Sequence, residues 1–227
     1  MEHIILNFIK SFDKSFAIKH ISQRQANLIQ LRLLKKLIDK AKNTQFGIKH
    51  NFVSIKNYIE FKNNVPIRDY EEIKEYIDLI KKGNENILWP GKPLYFAKTS
   101  GTTSGSKYIP LTKESLKNQI NSASYFLTDY LNEKKSLKSL KGKAMFISGS
   151  PTLEEKNGIK IGRLSGIVNH HEPIYLKHLL LPSKETNRIE DWEKKIDKIV
   201  DETLNSDLRI LGGIPPWIQM YCDVLIE

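Results

Sequence analysis

The chain has 227 residues, 40% of them hydrophobic, enough to bury one sizeable core or to form a large part of a bigger one, which argues against disorder. Its 36 Lys+Arg against 26 Asp+Glu leave a formal charge of +10, but residues 1–110 carry 19 basic and 10 acidic side chains against 17 and 16 in residues 111–227. The basic residues of the first half stand mostly singly among Leu, Ile, Tyr and Phe, as on solvated helix faces. No helix-turn-helix, zinc-finger or aromatic stacking signature accompanies them, so no nucleic acid partner is expected, while a positive field for an anionic ligand such as a nucleotide is retained.

Cys222 is the only cysteine, which excludes an internal disulfide and a cysteine-based metal site and fits a reducing compartment. The opening "MEHIILNFIKSF" lacks the basic flank and cleavage site of a signal peptide, and no run approaches the ~18–20 apolar residues of a membrane span. A soluble, cytoplasmic protein with no membrane partner is the expectation.

In chain order the first element is an amphipathic helix from Gln25, with Leu28, Leu31, Leu34, Leu37 and Ile38 recurring at three and four as a core-packing stripe that ends near "KNTQFG". A second helix opens with a capping box, Asp69 three residues before Glu72, continues through Ile73, Tyr76, Ile77 and Ile80, and stops at Gly83-Asn84. Pro90, Gly91 and Pro93 mark a turn before a short buried strand, Leu94 to Ala97. A hydroxyl-rich stretch and a short extended piece follow, and Thr112 then caps a helix running to about Leu131 through Leu116, Ile120, Ala123, Phe126, Leu127 and Tyr130. Further on, "KAMFISGS" at 143–150 and "LRILGG" at 208–213 read as strands, and 192–204 as an amphipathic helix on Trp192, Ile196, Ile199 and Val200. Pro215-Pro216 open a last helix, which reaches Glu227 without a cap or breaker, so a chain cut from a longer sequence, or naturally shortened, is expected. The fold class expected is α/β: a helical N-terminal region packed on a layered sheet containing the strands near 94–97, 143–149 and 208–211.

The stretch "AKTSGTTSGSKYIP" at 97–110 carries the chemistry. Small residues let a backbone approach a polyphosphate, glycines permit dihedrals that turn successive N–H groups inward, hydroxyls add donors, and a lysine supplies mobile positive charge. Thr99, Ser100, Gly101, Thr102, Thr103, Ser104, Gly105, Ser106 and Lys107 provide all of these. The Walker pattern fails, because Gly101 and Gly105 are four apart rather than five and Tyr108 follows Lys107 in place of Ser or Thr. The dinucleotide fingerprint is also absent.

This stretch resembles the phosphate-binding loop of adenylate-forming enzymes, roughly [ST]-S-G-[ST]-T-G-x-P-K. It matches in its first five positions and in the distance to the lysine, and departs where Ser104-Gly105-Ser106 replaces Gly-x-Pro. Lys107 followed by Tyr108-Ile109-Pro110 resembles one branch, the Gretchen Hagen family of acyl-acid amido synthetases, first known for conjugating auxin. "TQFGIKHNF", "VPIRDYEEIKEYI", "LWPGKPLYFAKTSGTTSGSKYIPLT", "GRLSGIV" and "GIPPW" are similar to its bacterial members in that order, over about residues 25–220.

The resemblance implies the N-terminal part of an ATP-dependent ligase. Residues 1–90 would form a mainly helical region and 91–227 part of the layered α/β large domain with its phosphate loop at 99–107. The rest of that domain and a small C-terminal domain would be absent. It implies ATP and Mg²⁺, and as partners a carboxylic acid and an amino acid or amine: the acid becomes an acyl-adenylate, from which the amine displaces AMP. Lys107 and Thr102 are the candidate catalytic groups, since charge builds on the phosphoryl oxygens as the acid attacks. Tyr125 and Thr128, on the helix that lines the family's acid pocket, and Ile214, in "GIPPW", are candidate substrate contacts. Core packing explains Tyr125 and the "GIPPW" helix start as well.

No metal site is assigned to the chain's own residues. Adjacent His170 and His171 point to opposite sides in an extended segment, without a third ligand at helical spacing. Asp69 and Glu72 are read as a cap rather than a catalytic pair. The isolated chain is expected not to complete adenylation, and faces exposed by truncation could lead it to self-associate. A stand-alone nucleotide-binding or regulatory module, or a basic interaction protein, is the alternative.

Overall fold

A computed structural model describes residues 22–99, 105–134, 138–172 and 177–227. Ser22 and Gln25 form a reciprocal capping box that starts α1 (Gln23–Ala41). Three shorter helices follow: α2 (Gln45–Lys49), α3 (Tyr58–Asn64) and α4 (Tyr70–Lys81). Among the described residues, the apolar stripe of α1 is buried mainly at its carboxyl end. Ile38 and Ala41 pack with Phe52 and Ile55, with Leu34, Phe46, Phe61 and Trp89 around them. Leu28, Leu31 and Leu37 are 46%, 46% and 45% exposed, so of the expected stripe only Ile38, with Leu34 beside it, joins the described core cluster. The stripe is longer than the cluster it meets: periodicity shows which face of a helix is apolar, not how much of that face finds a partner.

The segment between α1 and α2 shows why "TQFG" is sequence-constrained. Thr44 caps α2, its hydroxyl accepting the Gly47 N–H at 3.0 Å and donating to Ala41 O at 2.7 Å. A Cβ on Gly47 would sit 2.1 Å from that same oxygen, so the chain closes here only over glycine.

Strands β1 (Tyr95–Lys98) and β2 (Tyr108–Leu111) join β4 (Glu154–Lys156) and β5 (Ile159–Gly162) in a sheet of order β2-β1-β5-β4. A second sheet has order β6-β3-β7, with β3 (Lys143–Ile147) paired in parallel to both β6 (Leu180–Leu181) and β7 (Leu208–Gly213). The three strands expected in one sheet therefore belong to two. Both edges of β1 are taken, by β2 and β5, which leaves β3 to pair elsewhere. The hairpin that supplies β4 and β5 turns on Asn157 and Gly158 at φ 53° and 75°. Asn-Gly between two extended runs is a strong hairpin signal, and it stands in the sequence unread.

The remaining elements are α5 (Lys113–Lys134), α6 (Leu164–Asn169), α7 (Lys184–Asn187), α8 (Trp192–Thr203) and α9 (Pro215–Ile226). The described residues fall into two compact units. One lies within Met1–Phe96, Ser100–Asn121 and Glu155–Lys160, the other within Ala97–Thr99, Ser122–Glu154 and Ile161–Glu227. In the second, Met145 and Ile147 of β3 pack with Ile196 and Ile199 of α8 and Tyr221 of α9. Among the described residues no helix is long and apolar enough to cross a membrane.

Lys195 lies on the buried stripe of α8 at 1% exposure, where sequence periodicity expects an apolar residue. Its ammonium donates to Ser148 O, just past β3, and to Asn187 O, at the end of α7, both at 3.0 Å. Burial pushes its pKa below the ordinary lysine value. Lys195→Met is expected to cost about 2 kcal/mol in urea unfolding, because two buried carbonyls lose a charged donor. The unfolded lysine holds its proton more tightly than the folded one. The wild type should therefore gain stability over the Met variant as pH rises from the lowered folded value to the ordinary one.

Candidate functional site

The hydroxyl-rich loop is suspended between β1 and β2, adjacent strands of the four-stranded sheet. Tyr95, Phe96 and Ala97 are buried, so the strand that launches the loop is anchored in the core before Lys98 and Thr99 emerge. Ser100, Gly101, Thr102, Thr103 and Ser104 lie outside the described residues. Thr99, Gly105 and Ser106 are exposed and Lys107 is half-buried. Gly105 sits at φ +80°, with open space where a side chain would begin, so its glycine is required by backbone conformation rather than by crowding.

The return into β2 is gripped by α4. Asp69 and Glu72 form the capping box expected of them: Asp69 Oδ1 accepts the Glu72 N–H at 3.0 Å and Glu72 Oε2 accepts the Asp69 N–H at 2.8 Å. That cap fixes Tyr70 as the first helical residue, and the Tyr70 hydroxyl accepts the backbone N–H of Tyr108 at 2.9 Å. The Lys107 ammonium lies 5.3 Å from the centroid of the Tyr70 ring. Lys81, at the other end of α4, holds its ammonium 4.1 Å from the centroid of the Tyr108 ring, which meets Phe96 edge-on at 6.0 Å. Pro110 is tolerated in β2 because that strand is an edge of its sheet. Thr112 accepts the Ser115 N–H at 3.1 Å and so caps α5, as expected. In the first turn of α5, the Lys40 ammonium holds the Glu114 carboxyl below the usual carboxylate range.

The other candidates lie in the second unit. Tyr125 is half-buried on α5 and meets Phe126 edge-on at 6.3 Å. Thr128 lies on the same helix, with its side chain outside the described residues. Ile214 is 51% exposed and precedes α9, its carbonyl accepting the N–H groups of Trp217 and Ile218 at 2.9 and 3.1 Å. Trp217 packs into the core and against the Trp192 ring at 4.5 Å, so the "GIPPW" stretch starts a core helix. In "GRLSGIV" a Cβ on Gly166 would lie 2.5 Å from Ser150 O, which ties α6 closely to the segment after β3. His170 is bonded at Nε2 to Pro151 O at 2.8 Å, and burial raises the Glu172 carboxyl. Among the described residues there is no group of three or more His, Cys, Asp or Glu able to hold a metal ion.

Sequence reasoning overlooked Tyr70. Its place is set by a cap that was read correctly, but its bond to a residue 38 positions on has no local signature.

Residues 18–196 match the GH3 family N-terminal domain. The chain is 35% identical over 119 residues to indole-3-acetic acid-amido synthetase GH3.15 of Arabidopsis thaliana, covering 48% of this chain and 20% of that protein. It is 26% identical over 167 residues to jasmonoyl–L-amino acid synthetase JAR6 of Nicotiana attenuata, covering 71% and 28%. The solved structure of AtGH3.15 acyl acid amido synthetase in complex with 2,4-DB aligns at a TM-score of 0.71 and 20% identity, over 97% of this chain and 37% of that one. A second structure, GH3.15 acyl acid amido synthetase, aligns at 0.70 and 21% identity, over 87% and 36%. The chain thus spans between a fifth and little over a third of the length of these relatives. The structural likeness establishes a mixed α/β fold, that of the N-terminal region of GH3.15. Because the domain match takes in most of the sequence, from the end of the N-terminal stretch through the hydroxyl-rich loop and into α8, the chain belongs to the GH3 family.

Proposed function

We propose that this chain supplies the phosphate-binding part of an ATP-dependent acyl-acid amido synthetase, which activates a carboxylic acid as its acyl-adenylate and transfers the acyl group to an amino acid or amine. The observation that carries the reading is the family match of a chain whose hydroxyl-rich loop runs between two paired strands and ends on a half-buried lysine. The names of the relatives, an indole-3-acetic acid-amido synthetase and a jasmonoyl–L-amino acid synthetase, support the reaction class.

ATP enters as substrate, and the described residues suit its phosphates: an exposed glycine in left-handed conformation, a neighbouring serine and a lysine whose next residue, Tyr108, is held by its backbone N–H. In this reading Thr99, Ser100, Gly101, Thr102, Thr103, Ser104, Gly105 and Ser106 direct N–H groups and hydroxyls at the phosphate oxygens. Lys107 and Thr102 offset the charge that develops when the acid's carboxylate oxygen bonds to the α-phosphorus and pyrophosphate departs. Mg²⁺, implied alongside ATP, meets no cluster of three His, Cys, Asp or Glu among the described residues. Tyr125, Thr128 and Ile214 are proposed acyl contacts, and the cytosol is the proposed location.

Because the chain aligns with 20% and 28% of its curated relatives, the part that completes the reaction is proposed to lie in sequence it does not contain. The 227-residue protein should bind ATP yet give no acid-dependent ATP–pyrophosphate exchange with a panel of aryl and indole acids. Clear acid-dependent exchange would sink the incompleteness, and failure to bind ATP would sink the phosphate site.

A further inference from the structure

Tyr70 touches the loop's exit twice. Its hydroxyl accepts the backbone N–H of Tyr108, and its ring lies beneath the ammonium of Lys107. One side chain thereby restrains both the backbone that follows the loop and the cation that ends it. Tyr70 is itself held, because the Asp69–Glu72 capping box sets the first turn of α4. The far end of that helix is also tied down, by the bond from Asn157 Nδ2 to Lys81 O at 2.7 Å and by Lys81 over the Tyr108 ring.

A lysine on four rotatable carbons loses rotamer freedom when it meets a phosphate oxygen, so restraining it beforehand lowers the cost of binding. An aromatic face does this without competing as a carboxylate would: it attracts the ammonium weakly and releases it to a phosphate. We infer that Tyr70 is a positioning residue for Lys107, fixing the Tyr108 N–H that follows it and holding its ammonium ready for the polyphosphate of ATP. This rests on the phosphate-binding reading of the loop. Tyr70 is not a catalytic residue, since it acts through the lysine.

The test measures ATP and AMP binding by calorimetry on the 227-residue protein and its variants, with melting temperatures alongside. Tyr70→Phe keeps the ring and removes the hydroxyl, and ATP binding should weaken about threefold. Tyr70→Leu removes both contacts and should weaken it about tenfold, while AMP, with less charge for Lys107 to meet, changes less than about twofold. In a Lys107→Ala background, Tyr70→Leu should add less than about twofold, because the group it positions is gone.

Equal losses in both backgrounds, or equal losses for ATP and AMP, would reduce Tyr70 to a strand anchor and overturn the inference. If Lys107→Ala weakens ATP binding and neither Tyr70 variant does, the inference fails and the phosphate site stands. If Lys107→Ala has no effect, or the wild type binds no ATP, both fall. Should Tyr70→Leu not fold, Tyr70→Phe, which preserves the packing volume, decides the matter in the same two backgrounds.

Discussion

Lys107→Ala is expected to weaken ATP binding by the 227-residue protein roughly 10- to 100-fold, the measure of a charge-assisted contact worth about 1.5–3 kcal/mol. The lysine is half-buried, its neighbour's backbone is bonded to Tyr70, and its ammonium rests over an aromatic ring. The bond from the Tyr108 N–H to Tyr70 outlasts the removal of the lysine side chain, so the variant should stay within a few degrees of the wild-type melting temperature while its affinity falls. Lys107→Arg should recover only part of the loss, since a guanidinium brings a different reach and a planar fork to a site shaped for an ammonium. Calorimetric titration checks both. Unchanged affinity in the alanine variant would leave the loop an ordinary turn rich in hydroxyls.

Gly47→Ala is expected to destabilise the first unit by about 3 kcal/mol, seen as a lower urea midpoint in circular dichroism. The added carbon would fall 2.1 Å from Ala41 O and 2.9 Å from Ala41 C, and neither is the end of a flexible side chain that could move aside. Relief must come from the backbone between α1 and α2. There Ala41 O accepts both the N–H and the hydroxyl of Thr44, and that hydroxyl accepts the Gly47 N–H. Shifting one atom breaks the others. Ile48→Ala, at a side chain 68% exposed in the same helix, is the matched control and should change stability by no more than about 0.5 kcal/mol.

The two variants mark what was legible in the sequence. Local chemistry was: the Asp69–Glu72 box, the stop near Gly83, the cap at Thr112 and the strand at 208–213 all appear where their residue types place them. The strand read at Leu94–Ala97 is Tyr95–Lys98, a shift of one residue. Pairing was not legible. Nothing in "YFAK" says that β5 will occupy its second edge, and without the Asn157–Gly158 hairpin the strands at 95–98, 143–147 and 208–213 look like members of one sheet. Burial was legible only as a face: the stripe of α1 was correct in phase and overextended in length. Lys195 shows the converse, a residue whose charge argues for solvent at a position whose period argues for the core.

For the site, glycines, hydroxyls and a lysine gathered after a buried strand are what lead the sequence reading to expect a polyphosphate, and that ligand stays with the proposal and its binding test. What sequence could not show is how the lysine is held. That depends on a tyrosine carried by a different element, whose contribution is a distance rather than a motif.

The partial burial of α1 also governs how that helix breathes. Its 19 residues span about 28 Å, but the packing that resists opening lies at the carboxyl end, around Ile38 and Ala41. Among the described residues, the turns carrying Leu28 and Leu31 have less packed against them than Ile38 and Ala41 and lean more on the Ser22–Gln25 box and on backbone hydrogen bonds, which open at less than the cost of global unfolding. Amide protection along α1, read by hydrogen exchange, is therefore expected to rise toward Ala41. Opening is expected to start at the turns that carry Leu28 and Leu31, and a surface settling on those leucines would slow it first.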